Sequence, residues 1–69
     1  MEKIKVVPKG GNSPIRFFLM IDDEKIGMFE VREKVYRVHV YKKEYQSEIV
    51  RYMHETQKIE RFYWGYLPN

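Results

Sequence analysis

The chain has 69 residues, no Cys and a formal net charge of +3 at pH 7, with a pI near 9.2. That length holds one domain with one modest core, and the missing thiols exclude disulfides and thiolate metal sites, which favours a cytoplasmic setting over a secreted one. No apolar run approaches the ~20 residues that span a bilayer, and Met1-Glu2-Lys3-Ile4-Lys5 lacks a signal peptide's apolar stretch, so the expectation is a soluble, untargeted chain.

Charge is unevenly spread. Residues 1–42 carry 9 of the 13 Lys and Arg against 6 of the 10 acids, whereas residues 43–69 hold four of each. The whole basic excess lies in the first part of the chain, and a basic excess leans toward anionic partners.

In chain order, Ile4-Lys5-Val6-Val7 reads as a short strand stopped by Pro8, and residues 9–14, Lys9-Gly10-Gly11-Asn12-Ser13-Pro14, read as a loop. The Gly pair fits neither glycine-rich phosphate fingerprint, and a strand rather than a helix follows it, so a plain turn is expected. Three strands come next, over 15–22, 25–32 and 35–41. The first, Ile15-Arg16-Phe17-Phe18-Leu19-Met20-Ile21, has large apolar side chains on both alternating faces, so both faces of a sheet built on it need cover.

Parity assigns those faces. A two-residue turn at Glu33-Lys34 pairs Val31 with Tyr36, Phe29 with Val38 and Gly27 with Val40 on one side, and sets Glu30 beside Arg37 on the other. A three-residue loop Asp23-Glu24-Lys25 puts Phe17, Leu19 and Ile21 on the side of Phe29 and Val31. A two- or four-residue loop flips the first strand and carries Arg16 into the core, so the three-residue loop is expected on consistency. It makes Arg16 and Arg32 cross-strand neighbours.

Tyr45, Ile49, Tyr52, Met53, Thr56, Ile59 and Tyr63 recur at helical spacing, with Glu44, Glu48, Arg51, Glu55 and Lys58 on the opposite side. The spacing predicts a helix over 43–64 lying across the core face, with Gly65 as its stop, a tail over 65–69 and no good N-cap residue. The expected fold is α+β: a single domain with an antiparallel three- to four-stranded sheet and one C-terminal amphipathic helix packed on one face, in the order β-β-β-β-α.

The chemical inventory is thin. Ser13, Ser47 and the Thr and Tyr hydroxyls are the available oxygen nucleophiles, and His39 on a strand and His54 on the outer helix face assemble no triad with them. Asp22 and Asp23 suit a hairpin tip, where both face water, better than an acid–base pair held in separate environments. No metal site, no cofactor and no enzymatic activity are expected.

The second sheet face then displays Arg16, Phe18, Met20, Met28, Glu30, Arg32, Val35, Arg37, His39 and Tyr41. Like charges side by side are offset by Glu30 or by an anionic ligand, and aromatics between guanidinium groups suit phosphate contacts with base stacking. The expected function is a small nucleic-acid-binding module, for DNA or RNA, using Arg16, Phe18, Met20, Met28, Arg32, Arg37, His39 and Tyr41. The same residues, an apolar patch rimmed by Arg, also suit a protein–protein interface, either a homodimer or a phage- or plasmid-type inhibitor or adaptor of a host protein. A third expectation has Lys3, Lys5 and the Ile4–Val7 strand covering the edge and the tail Phe62-Tyr63-Trp64-Gly65-Tyr66 folding over the remainder, with Trp64 packed on its own domain. Three antiparallel strands followed by a helix resemble, in topology alone, the sheet-reading DNA-binding modules of some integrase arm domains and plant transcription factors.

Overall fold

The structure is a computed structural model that describes residues 3–10 and 15–67. Most of the expected glycine loop, Gly11 to Pro14, lies outside the described residues, as do Pro68 and Asn69 of the expected tail. The chain forms strands β1 (Lys5–Gly10), β2 (Ile15–Ile21), β3 (Glu24–Arg32) and β4 (Val35–Val40), a 3-10 turn over Lys43–Tyr45, helix α1 (Gln46–Glu55) and strand β5 (Tyr63–Tyr66). One sheet holds all five strands in the order β1-β2-β3-β4-β5; the first three pairings are antiparallel and β5 runs parallel to β4. The α+β class and the helix on one sheet face agree with the sequence, and the fifth strand and its parallel pairing are additions. Parallel neighbours cannot be joined by a tight turn, and α1 supplies the crossover between β4 and β5. No described helix is long and apolar enough to cross a membrane.

Pro8 does not stop the first strand. β1 continues through it to Gly10, with the register shifting between Pro8 and Gly10. A proline has no N–H to give a ladder, which an outer strand with a bulge tolerates and a central one does not.

The β2–β3 turn also differs from expectation. Ile21 opposite Glu24 leaves a two-residue turn, Asp22-Asp23, with Asp22 at φ 55°, a left-handed conformation that Asp accepts more readily than most residues. Such a turn on a regular ladder puts Arg16 in the core. A bulge prevents this: Leu19 faces Gly27 while Met20 faces Lys25, so Ile26 is an extra residue that turns β3 over by one position. Phe17, Leu19 and Phe29 therefore share the core face as expected, but two residues out of the expected register. Arg16 faces Glu30 and is not the partner of Arg32.

The β3–β4 pairing matches the sequence reading, with Val31 on Tyr36, Phe29 on Val38, Gly27 on Val40 and Glu30 on Arg37. Glu33 and Lys34 both adopt positive φ, 50° and 67°. This mirror-image turn follows the strand twist and is ordinarily made by Asn-Gly.

The core lies between the sheet and α1. Leu19, Ile21, Ile26, Phe29, Val38, Val40, Ile49 and Met53 are buried, and Phe17 stacks on Phe29 with ring centroids 4.9 Å apart. Full burial of side chains such as Ile49 and Met53 contributes roughly 1.5–3 kcal/mol each. Gly27 sets how closely the helix approaches. A Cβ there stands 2.7 Å from the His39 carbonyl oxygen and 3.2 Å from Ile49 Cδ1, so only hydrogen fits.

The expected helix over 43–64 is corrected to ten α-helical residues preceded by the 3-10 turn. Thr56 and Gln57 donate backbone bonds to the Tyr52 carbonyl at 2.9 and 3.2 Å, Lys58 takes φ 60°, and the Ile59 N–H returns to the Met53 carbonyl at 3.0 Å. The chain has turned back, and Ile59 and Phe62 pack on the core from a connecting segment. His54 fixes that turn, with Nδ1 3.0 Å from the Ile59 carbonyl and its ring 5.2 Å from Phe62. Beyond it the run Tyr63-Trp64-Gly65-Tyr66 pairs with β4, whose outer backbone groups would otherwise face water. Aromatic preference for strands, combined with that pairing, outweighs the helical spacing of Ile59 and Tyr63. Gly65 is thus a strand residue opposite His39 rather than a helix stop, and Tyr63 is 72% exposed rather than buried under the helix.

Candidate functional site

α1 covers one side of the sheet, and among the described residues no element covers the other. Strand alternation and register lay the side chains of this open face in rows across the strands. The central row runs Val7, Phe18, Met28, His39 and Gly65, each the cross-strand partner of the next. Two residues to one side lies a polar row, Gly10, Arg16, Glu30, Arg37 and Tyr63, and on the other side lie Lys5, Met20 and Lys25. The expected site residues Arg16, Phe18, Met20, Met28, Arg37 and His39 are thereby brought together. Arg32 sits at the end of β3 opposite Val35, and Tyr41 just beyond β4, where its N–H donates to the Ile26 carbonyl at 2.9 Å and burial raises its phenol pKa.

The centre of this face is not bare. Met28 is only 7% exposed, and Phe18 and Met20 are half-buried. Lys25 Nζ lies 4.2 Å and Lys9 Nζ 5.5 Å from the Phe18 ring centroid, and Lys9 Nζ is 4.0 Å from Met28 Sδ. The lysine stems lie along the apolar row, and their ammonium groups meet the negative face of the aromatic ring.

Glu30 is the one carboxylate on this face among the described residues. Its Oε2 accepts from Arg16 Nε at 3.3 Å, and its Oε1 lies 3.5 Å from His39 Nε2. Burial pushes the Glu30 pKa up, but the hydrogen bonds and charges of Arg16 and His39 outweigh it and leave the pKa below the ordinary value. Glu30 is therefore ionised at neutral pH and holds two of its neighbours in place. Against this single charge stand Lys5, Lys9, Arg16, Lys25, Arg32 and Arg37, of which only Arg16 has an ion pair among the described residues. On the helix side acids are mixed with bases, as in Arg51 with Glu55 at 3.8 Å and Lys42 with Glu24 at 3.2 Å.

Lys9 and Lys25 belong to this face and were not expected on it, and Lys5 and Tyr63, expected only as cover, form part of it. Lys9 joins because β1 runs past Pro8, Lys25 because the Ile26 bulge follows it, and Tyr63 because the aromatic run is a strand. Only Lys5 had a parity signal in the sequence, through Lys5-Val6-Val7.

The aromatic tail does not cover the open face; it extends the sheet. Trp64 is 45% exposed and meets Tyr66 edge-on at 5.6 Å, while Tyr66 Oη donates to Gln46 Oε1 of α1 at 3.0 Å. One cleft, of about 320 Å³ between Lys34–Tyr36 and Arg61–Tyr63, borders the Tyr63 end of this face, and another, of about 590 Å³, lies between Lys3, Ile4 and the Glu48–Thr56 side of α1. Neither cleft is lined by Phe18 or Met28.

Comparison with protein-family models, curated proteins and solved structures returned no match, so any functional reading rests on the chain's own geometry.

Proposed function

We propose that this chain is a small non-enzymatic binding module that takes nucleic acid on the open face of its sheet. The observation that carries the reading is the charge of that face: among the described residues, six Lys and Arg side chains against the single carboxylate of Glu30, arranged around a central apolar row. Cations at the margin meet phosphates, which supply most of the affinity, and Phe18 and His39 at the centre are placed for base contacts. Arg37 is the clearest phosphate ligand, because Arg16 and His39 are drawn toward Glu30.

Salt titration of binding to mixed-sequence oligonucleotides tests this. Affinity is expected to fall steeply between 50 and 200 mM salt, and Arg37→Ala to weaken binding and lower the slope of log K against log salt by about one. Salt-independent binding, or none, would overturn the reading.

A protein contact, the other function the sequence suggests, is favoured at a different place. The β1 edge is interrupted by Pro8 and a bulge and flanked by lysines, whereas β5 contains neither Lys nor Pro and exposes Tyr63, Trp64 and Tyr66. Unguarded edges of this kind accept another strand. A second copy pairing along β5 is the corresponding reading, and light scattering over a concentration series tests it. Trp64→Lys is expected to shift the mass toward that of the monomer, and a monomeric wild-type protein at all concentrations would sink it.

A further inference from the structure

We infer that the ligand of the open face is a single strand, lying across the β-strands along the Phe18 row, rather than a duplex. This rests on the nucleic-acid reading above and adds the form of the ligand and its direction.

Geometry supplies the first argument. At about 4.8 Å between strands, the row from Val7 to Gly65 is about 19 Å long, and the cation-bearing positions two residues to either side put Lys5 and Lys25 about 13 Å from the Arg16 and Arg37 row. The result is a shallow apolar track with positive charge along both margins. A chain with phosphates on one side and bases on the other matches it: phosphates follow Arg37 and the polar row, and bases turn inward over Phe18. The length of the track suits about three to four nucleotides.

A duplex fits this surface poorly. Its bases are stacked inside two phosphate walls, and the ~12 Å major groove admits a helix or a narrow ribbon of strands. A five-stranded sheet face meets the outside of the duplex, so Phe18, half-buried among its neighbours, reaches no base. Stacking on its ring needs an unpaired base, and such stacking is tolerant of sequence.

The lysines over Phe18 complete the argument. Lys25 Nζ at 4.2 Å occupies the space over the ring that a stacked base takes. It sits on a flexible stem at the hairpin end of β3, so an arriving base displaces it to the margin opposite Arg37, where it flanks the outer edge of that base. Cation and aromatic then act on adjacent parts of one ligand.

Fluorescence anisotropy tests this with a labelled 12-nucleotide single strand and the duplex of the same sequence, at matched salt, on wild type and Phe18→Leu. The leucine keeps an apolar side chain and removes the ring. The single strand is expected to bind at least about tenfold more tightly than the duplex, and Phe18→Leu to weaken single-strand binding about fivefold or more while leaving the salt slope unchanged. A series of oligothymidylates, which needs no variant, should show affinity rising steeply up to three or four nucleotides and little thereafter. Equal or tighter duplex binding that retains its salt dependence would overturn the single-strand inference and leave the nucleic-acid reading standing. Absence of salt-dependent binding to either form would remove both.

Discussion

The two faces of this sheet are made from alternate residues of the same strands and have opposite fates. On one side Leu19, Phe29, Val38 and Val40 meet Ile49 and Met53 of α1 and exclude water. On the other, among the described residues, Phe18 and Met28 are covered by the side chains of lysines and neighbouring strands alone, within a surface that carries six cations. One small helix cannot cover both faces of a five-stranded sheet. The face it leaves open is the one rich in Arg and Lys, so stability and binding are assigned to opposite sides and should respond to different substitutions.

The largest expected effect lies on the covered side. Ile49→Ala should cost about 2–5 kcal/mol in urea unfolding, since it removes a fully buried side chain from the helix contact. Gly27→Ala should cost about 1–3 kcal/mol by forcing β3, β4 and the helix apart. Either substitution, made in protein that remains folded, should leave the salt slope of binding unchanged; a changed slope would break the division between the faces.

Glu30→Gln sharpens the comparison from the open side. It removes the one carboxylate and frees Arg16, so nucleic-acid affinity should rise by about 1 kcal/mol, or fivefold, with a steeper salt slope. The same change has a pH signature. The folded-state pKa of Glu30 is lowered, so its contribution to stability is present above the unfolded value and is lost as pH falls through the folded value. Thermal melts at descending pH should show the wild type losing stability in that acidic window and the glutamine variant losing less.

A smaller effect is expected in the β3–β4 turn, away from both faces. Replacing Glu33-Lys34 with Asn-Gly relieves two non-glycine residues of positive φ and should raise stability by about 1 kcal/mol without altering binding.

Much of this arrangement was legible in the sequence. The hydrophobic alternation of residues 27–40 sets both register and faces for β3 and β4, and the spacing of Tyr45, Ile49, Tyr52 and Met53 marks the helix. The face assignment of β2 was reached through a three-residue loop, whereas the chain uses a two-residue turn and a bulge at Ile26 to the same end. Parity alone cannot tell these apart, because a bulge restores the phase that a shorter turn shifts. The helix end was illegible for another reason. Ile59 and Tyr63 continue the helical spacing, and no Gly or Pro stands at Lys58, where the chain reverses; pairing with β4 decides the matter from a distance. Arg16, Phe18, Met20, Met28, Arg37 and His39 were assigned to one face because alternation fixes Met28, Arg37 and His39 and the bulge gives β2 the phase that the expected loop supplied, while Lys9, Lys25 and Tyr63 were missed because each depends on an irregularity of the strands.

The most direct test is to follow backbone amide signals by NMR as a short single-stranded oligonucleotide is added at low salt. Shifts concentrated at Lys5, Phe18, Met28, Arg37 and Tyr63, with residues 46–55 of α1 unchanged, are the predicted result. Shifts centred on α1, or confined to the β5 edge around Trp64, would contradict the assignment of binding to the open face.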